Sequence, residues 1–408
     1  MIKWSEKAMM KKYLTSFHLP RRDFMKESAV LGTMSFFGIA HLAFAQVQNS
    51  PIKQKGPLIV VFQRGAADGL HLLSPLEDPD FIAARSPEMR FAVNDYRVTF
   101  NDVNFYWHPE AKGLANLYQT KKLLAWQAVG INNETRSHFE AQEMIERGVQ
   151  SLDQLPDNLG WMTRQANKMP KSSSLTLFSA NPQLPRSMQG ALQALAARDL
   201  QGGILINGGI ATEKALEALF KVDGTLVATS LMQNNLQAIQ RVNQLLMQQS
   251  EQAKIIPYET RGATPYPNTD PGVGLRSIAR LLEVKSGVQF AWVDQGGWDT
   301  HENQPGRMNG LIKNLSLALQ AFDEDMQARQ QDYTLVVLTE FGRRLRSNRS
   351  NGTDHGHGSL ALVMGSQVPG GQILGSWPGL SNHQLDRGVD LAVTTNYEKV
   401  LEQALAWT

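Results

Sequence analysis

The segment Leu58-Ile59-Val60-Val61-Phe62-Gln63-Arg64-Gly65-Ala66-Ala67-Asp68-Gly69 opens with five consecutive apolar residues and ends in small residues around one carboxylate. An apolar run this short and unbroken is the pattern of a strand buried on both faces. The glycines after it permit a tight turn, which leaves Asp68 at the strand's end. Similar runs recur at 123–129, 175–178, 288–293, 335–338 and 360–364. Helical patterns lie between them, clearest where Met308, Leu311, Ile312, Leu315, Leu319, Phe322 and Met326 recur at three- and four-residue spacing. This alternation predicts an α/β fold in three layers, with a mostly parallel central sheet and helices on both faces joined by right-handed crossovers. The middle has a different texture: 213–256 is helical and Gln-rich, and 257–274 is dense in Pro, Thr and Gly and reads as a loop. Residues 151–274 therefore read as a helical cap inserted over the sheet, although the strand-like 175–178 and 203–206 could equally belong to the core.

The totals exclude several classes. The chain has 408 residues, 42% hydrophobic and 19% charged, which is enough to bury a large core. A net charge of +2 from 40 basic and 38 acidic residues gives no basic field, so nucleic acid is not an expected partner. With no cysteine, there are no disulfides, thiolate metal sites, cysteine nucleophile or lipid-modified cysteine. A metal would have to sit on His, Asp or Glu.

Near the start, Arg21-Arg22 followed by Phe24 and Lys26 resembles the twin-arginine export motif. A weakly apolar stretch over 29–44 follows, closing on Ala43-Phe44-Ala45, the small-x-small pattern that signal peptidase accepts. We therefore expect a signal peptide over 1–45, the twin-arginine translocase and signal peptidase as transient partners, and a mature domain over 46–408. The mature chain should have no membrane span and a periplasmic or secreted location. Export in the folded state fits a chain that takes up its cofactor first.

In open α/β sheets, ligands bind beyond the carboxyl ends of the strands. The polar residues that follow the apolar runs are accordingly the candidates. They are Asp68; Arg136-Ser137-His138 at an apparent helix start; Asp299 and His301 within Gly296-Gly297-Trp298-Asp299-Thr300-His301; Glu340 and Arg343; and Asp354, His355 and His357 within Gly352-Thr353-Asp354-His355-Gly356-His357-Gly358. Taken singly, Asp68 also reads as a turn residue and Ser137 as an N-cap. Together, carboxylates and imidazoles without thiolates suit zinc, manganese or a comparable divalent ion in an open, hydrolytic site. Trp107, Trp161, Trp298 and Trp377 could serve as stacking platforms for a carbohydrate polymer, but core packing explains them more simply.

These same stretches resemble the DUF1501 family of exported bacterial proteins, whose core is similar to the alkaline phosphatase and sulfatase superfamily. The carriers are 61–70, 136–142, 296–304, 339–343 and 352–358, and the likeness runs from about Gly56 to the C-terminus. The resemblance implies two divalent ions, one on Asp68, Asp354 and His355, the other on Asp299, His301 and His357. His383 is an alternative last ligand. It implies Ser137 as a metal-activated nucleophile, Arg343 or Arg136 on the anionic oxygens, and His138 and Glu340 as orienting or proton-carrying groups. The implied reaction is hydrolysis or transfer of phosphate or sulfate esters, small or polymeric. The spacing departs from the phosphatase pattern, since one residue separates Asp299 from His301 and His357 follows Asp354 closely. A secreted metal-binding or surface-interaction protein without turnover is the second reading, because fold does not settle function.

Overall fold

The computed structural model describes residues 56–408 except 155–156, 171–174, 207–208, 223–226 and 251–253. The expected signal peptide lies outside the described residues. The first apolar run forms β1 (Leu58–Gln63), buried at every position. A short helix, α1 (Gly69–Leu72), leads to β2 (Leu73–Ser74), and α2 (Pro79–Ala84) follows. Next come β3 (Arg97–Phe100) and β4 (Val103–Trp107), turned by Asn101 and Asp102, both at positive φ, as the tight turn of a right-twisted hairpin requires. β2, β4 and β3 make a small antiparallel sheet that no sequence pattern announces.

The core then builds through α3 (Lys112–Gln119), β5 (Leu123–Gly130), α4 (His138–Arg147), α5 (Trp161–Ala166), β6 (Leu177–Ser179) and β7 (Ala194–Ala196). After α6 (Gly209–Val222), α7 (Val227–Met247) and α8 (Asp270–Glu283) come β8 (Phe290–Gln295), α9 (Gln304–Ala328), β9 (Thr334–Thr339) and β10 (Ser359–Gly365). Last are β11 (Ile373–Leu374), β12 (Thr395–Asn396) and α10 (Tyr397–Ala406).

Nine strands form the central sheet in the order β11-β5-β10-β9-β1-β8-β6-β7, with β12 also on β5. Every pairing is parallel except those of β10 with β9 and β5. The expected mostly parallel sheet is therefore what forms. Within 151–274, the stretch at 175–178 does join the sheet, as β6, whereas 203–206 forms no strand. The stretch expected as a loop is already helical from Asp270.

Successive side chains of a strand point to opposite faces. Accordingly Ile59 and Val61 pack with Ile278, Leu281, Ile312 and Leu319 of α8 and α9. Leu58, Val60 and Phe62 pack on the other face with Met144, Ile145, Met162 and Val400 of α4, α5 and α10. β8 and β9 divide in the same way, with Val293 and Val337 on one side and Trp292 and Val336 on the other. Helices thus cover both faces and leave the carboxyl edge as the open part of the central strands. Trp107, Trp161 and Trp298 are buried in the core, and Trp377 packs edge-on against Phe105 at 4.9 Å. No helix among the described residues is long and apolar enough to cross a membrane.

A candidate metal centre

β10 runs against β9, so its N-terminal end lies at the same sheet edge as the C-terminal ends of β1, β5, β8 and β9. Four loops therefore meet there, since one connection joins β9 to β10. Close backbone approach makes this work: at Gly65 (φ +115) a Cβ would stand 2.4 Å from the Asp299 amide, and at Gly342 it would stand 1.9 Å from the Gly358 carbonyl oxygen. Only glycine fits at such distances.

His138 is the first residue of α4. Its helix is fixed at one end by Ser137, whose Oγ accepts from the Glu140 amide at 3.5 Å, and at the other by Gly148 in the left-handed region. From this position His138 Nδ1 meets Glu340 Oε1 at 2.8 Å. His355 Nδ1 meets the carbonyl oxygen of Arg136 at 2.9 Å. A carbonyl oxygen only accepts, so that nitrogen of His355 carries the proton. The carboxylate requires the same of His138. Both rings, when neutral, then present bare Nε2 lone pairs, and these stand 3.0 Å apart. Asp299 Oδ1, another acceptor, lies 3.2 Å from His355 Nε2 and 3.6 Å from His138 Nε2. His301 Nε2 closes a second triangle on the same edge, 3.0 Å from His355 Nε2 and 3.0 Å from Asp299 Oδ1.

Lone pairs facing one another at such distances repel unless a positive charge lies between them. Ligands about 2.1 Å from a tetrahedral zinc ion stand about 3.4 Å apart, which is close to these separations. Among the described residues, His138, Asp299 and His355 form a group that could hold an ion. The electrostatics divide. Hydrogen bonding to Glu340 raises the pKa of His138 against the effect of burial, which favours its protonated form until an ion displaces the proton. Burial lowers that of His355, which favours the neutral ligand form. Burial alone would raise Asp299, but Arg343, 2.5 Å away, holds it below the usual carboxylate range.

Glu340 is wholly buried, and its Oε1 also accepts from the Gly65 amide and from Gln142 Nε2, each at 2.8 Å. Burial would raise this carboxyl, but the bonds from His138 and Gln142 keep it below its ordinary value. Gln142 was not among the candidates read from the sequence. Its place four residues after His138, hence on the same helix face, is the signal that could have found it.

The remaining candidates are held elsewhere. Asp68 lies buried with both oxygens on Arg85, at 2.6 and 3.1 Å, and a third bond from Gln304 at 2.7 Å. His357 lies between Asp386 and the carbonyl of Ile131, each at 2.9 Å. Asp354 stands behind His301 at 3.5 Å. Exposed His383 touches Ser381 at 3.1 Å. Arg343 has no exposed side-chain surface, and donates to the carbonyls of Gly65, Ala66, Trp298 and Thr353 besides Asp299, which ties the loops after β1, β8 and β9 together. Arg136 is paired with Asp390 and reaches Asp386 at 3.9 Å. Arg85 and these two aspartates had no motif to mark them, and Gln304 was marked only as the end of the 296–304 stretch.

No curated protein matches the chain. The C-terminal periplasmic domain of EcEptC from Escherichia coli, solved in complex with Zn, shares 10% identity over 78% of this chain and 75% of that one, with a TM-score of 0.37. Likeness at that level carries no argument about chemistry. The family model described as a protein of unknown function, DUF1501, matches residues 160–398, more than half of the chain, and the chain belongs to that family.

Proposed function

We propose that this chain is an exported, metal-dependent hydrolase or transferase of phosphate or sulfate esters, its ion held by His138, Asp299 and His355 with His301 beside them. The observation that carries this reading is the convergence of two bare imidazole Nε2 atoms and one carboxylate oxygen within 3.0–3.6 Å, each imidazole fixed from behind through its Nδ1. When bound, a divalent ion there would polarise an ester oxygen and lower the pKa of an attacking hydroxyl. The side chains of Asp299 and His301 are 47% and 44% exposed, so a substrate can reach the group from solvent. The first turn of α4 adds the positive end of a helix, which favours an anionic ester beside His138. Arg343 acts here by holding Asp299, since its buried guanidinium faces no solvent. Of the two ions implied by family resemblance, this geometry supports one. The export part of the proposal rests on the Arg21-Arg22 motif and the Ala43-Phe44-Ala45 site.

Ser137 remains the proposed nucleophile, but its hydroxyl caps α4. That observation favours a second reading, a metal-binding protein without turnover. Elemental analysis of the purified chain and of His355→Ala tests the metal, with about one equivalent expected in the first and none in the second. Ser137→Asn then separates the two readings, because asparagine caps as well as serine but cannot attack. An esterase should lose activity and keep its metal, whereas unchanged turnover would exclude Ser137 as nucleophile. A chain without metal in either form would sink the metallohydrolase.

A further inference from the structure

Gln304 opens α9, a helix of 25 residues that packs against the central sheet through Ile312, Leu315 and Leu319. Its side-chain oxygen accepts from the hydroxyl of Thr300 at 3.1 Å and from that of Thr353 at 2.6 Å, and its nitrogen donates to Asp68 Oδ2 at 2.7 Å. All four side chains are buried. Only one orientation of the amide fits them. Asp68 is paired with Arg85, and an ionised carboxylate accepts without donating, so the atom facing it is the NH2 group. The oxygen is left for the two hydroxyls, and both must donate to it.

Those threonines belong to different loops. Thr300 stands between Asp299 and His301 in the loop after β8, and Thr353 stands two residues before His355 in the β9–β10 connection. One buried oxygen therefore ties the two loops together and fixes their separation. Main-chain bonds hold the same seam, from the Gln304 amide to the Asn351 carbonyl at 2.8 Å and from the Thr353 amide to the Thr300 carbonyl at 3.3 Å. The end of a packed helix is a firmer reference than a loop, and groups that bind together need to be held within about 0.5 Å. Asparagine at position 68 would still offer an oxygen to the Gln304 amide, so the anchor does not require Asp68 to carry charge.

We propose that Gln304 is a positioning residue for the ion group: its amide, anchored on Asp68, sets the spacing between the loop of Asp299 and His301 and the loop of His355. It touches neither ion nor substrate and acts through Thr300 and Thr353. The assignment rests on the ion-binding reading above and adds to it a residue outside the ligands and their imidazole partners.

The test compares Thr353→Val with Thr353→Ser in the full chain. Valine keeps the shape of threonine but puts a methyl group where the hydroxyl stood. A carbon stays about 3.3 Å or more from a carbonyl oxygen, so the 2.6 Å contact has to open by about 0.7 Å. Zinc affinity in a chelator competition should fall about 10- to 100-fold in Thr353→Val, as when an outer partner is lost, and stay within about two-fold in Thr353→Ser. A second readout needs no metal. With isotope-labelled histidine, the rings of His301 and His355, whose centroids are 4.7 Å apart, should show a nuclear Overhauser contact that persists in the serine variant and weakens in the valine one. Thr300→Val, whose 3.1 Å contact has less far to open, should move both readouts the same way by less, and serves if Thr353→Val does not fold. A lower urea midpoint in the valine variants, with zinc affinity and ring contact unchanged, would make the amide a structural clasp and overturn the proposal. Equal losses in the serine and valine variants would overturn it too, because the hydroxyl would not be the agent. A chain that takes up no zinc, but whose ring contact follows the Thr353 hydroxyl, removes the ion reading and leaves the positioning role standing.

Discussion

Glu340 and Asp68 are both carboxylates at the ends of neighbouring strands, yet their surroundings give them opposite tasks. Glu340 accepts from His138, Gln142 and Gly65, and so fixes the ring that faces the ion group. Outer partners of this kind commonly change metal affinity by about 10- to 100-fold. Glu340→Gln should therefore weaken zinc binding by that order in a chelator competition, with little change in secondary structure. Asp68 is instead half of a buried ion pair with Arg85. Removing one partner of such a pair typically costs about 3–5 kcal/mol, because the other charge is left buried and alone. Asp68→Asn should thus lower stability to urea by roughly 3 kcal/mol and leave the metal content intact. A loss of metal without loss of stability would instead make Asp68 a ligand.

At the scale of elements, the site depends on loops that touch through their backbones. Gly342 and Gly358 stand near the two ends of the β9–β10 connection that carries His355, and any Cβ at Gly342 would collide with the Gly358 carbonyl. The neighbour is main chain and cannot rotate away. Gly342→Ala should therefore exceed the usual overpacking cost of about 1–3 kcal/mol and lower the thermal midpoint. It should weaken metal binding as well, since the His355 loop must shift, and a melt and metal titration indistinguishable from the unsubstituted chain would refute this. The sequence marked both ends of this connection through their glycines. It could not mark which carbonyls they would meet.

For the whole molecule, acid stability is the clearest expectation. His71 in α1 and His108 just after β4 are both buried, with ring centroids 5.1 Å apart. Burial, offset in part by Asp68, lowers His71 to about 4, and burial together with repulsion from His71 lowers His108 to about 3. The unfolded chain, with histidine near 6.5, binds more protons than the folded one below that pH. The sign follows: stability is full above about pH 6.5 and falls as the pH drops towards 4. Each tenfold difference in proton affinity between the folded and unfolded chain is worth about 1.4 kcal/mol, so the loss by pH 4 is on the order of 3 kcal/mol for each ring. Urea midpoints across that range should show the slope, and His71→Gln should roughly halve it, leaving the share of buried His108. A profile flat down to pH 4 would refute the buried neutral pair.

What the sequence by itself determined was the layered α/β architecture and the polar residues at the strand ends. Runs such as 58–62 can be satisfied only by burial on both faces, and glycines beside Asp and His can be read without knowing their neighbours. His138, Asp299, His301 and His355 were all legible in this way. Only the tertiary structure decided how they sort. Whether a carboxylate can face an ion or is already neutralised depends on what approaches it from elsewhere in the chain. Arg85 reaches Asp68 from α2's end, Asp386 reaches His357 from 29 residues on, and Glu340 reaches His138 across 202 residues. Such pairings have no local pattern, because they arise from loop ends that parallel strands bring to one edge.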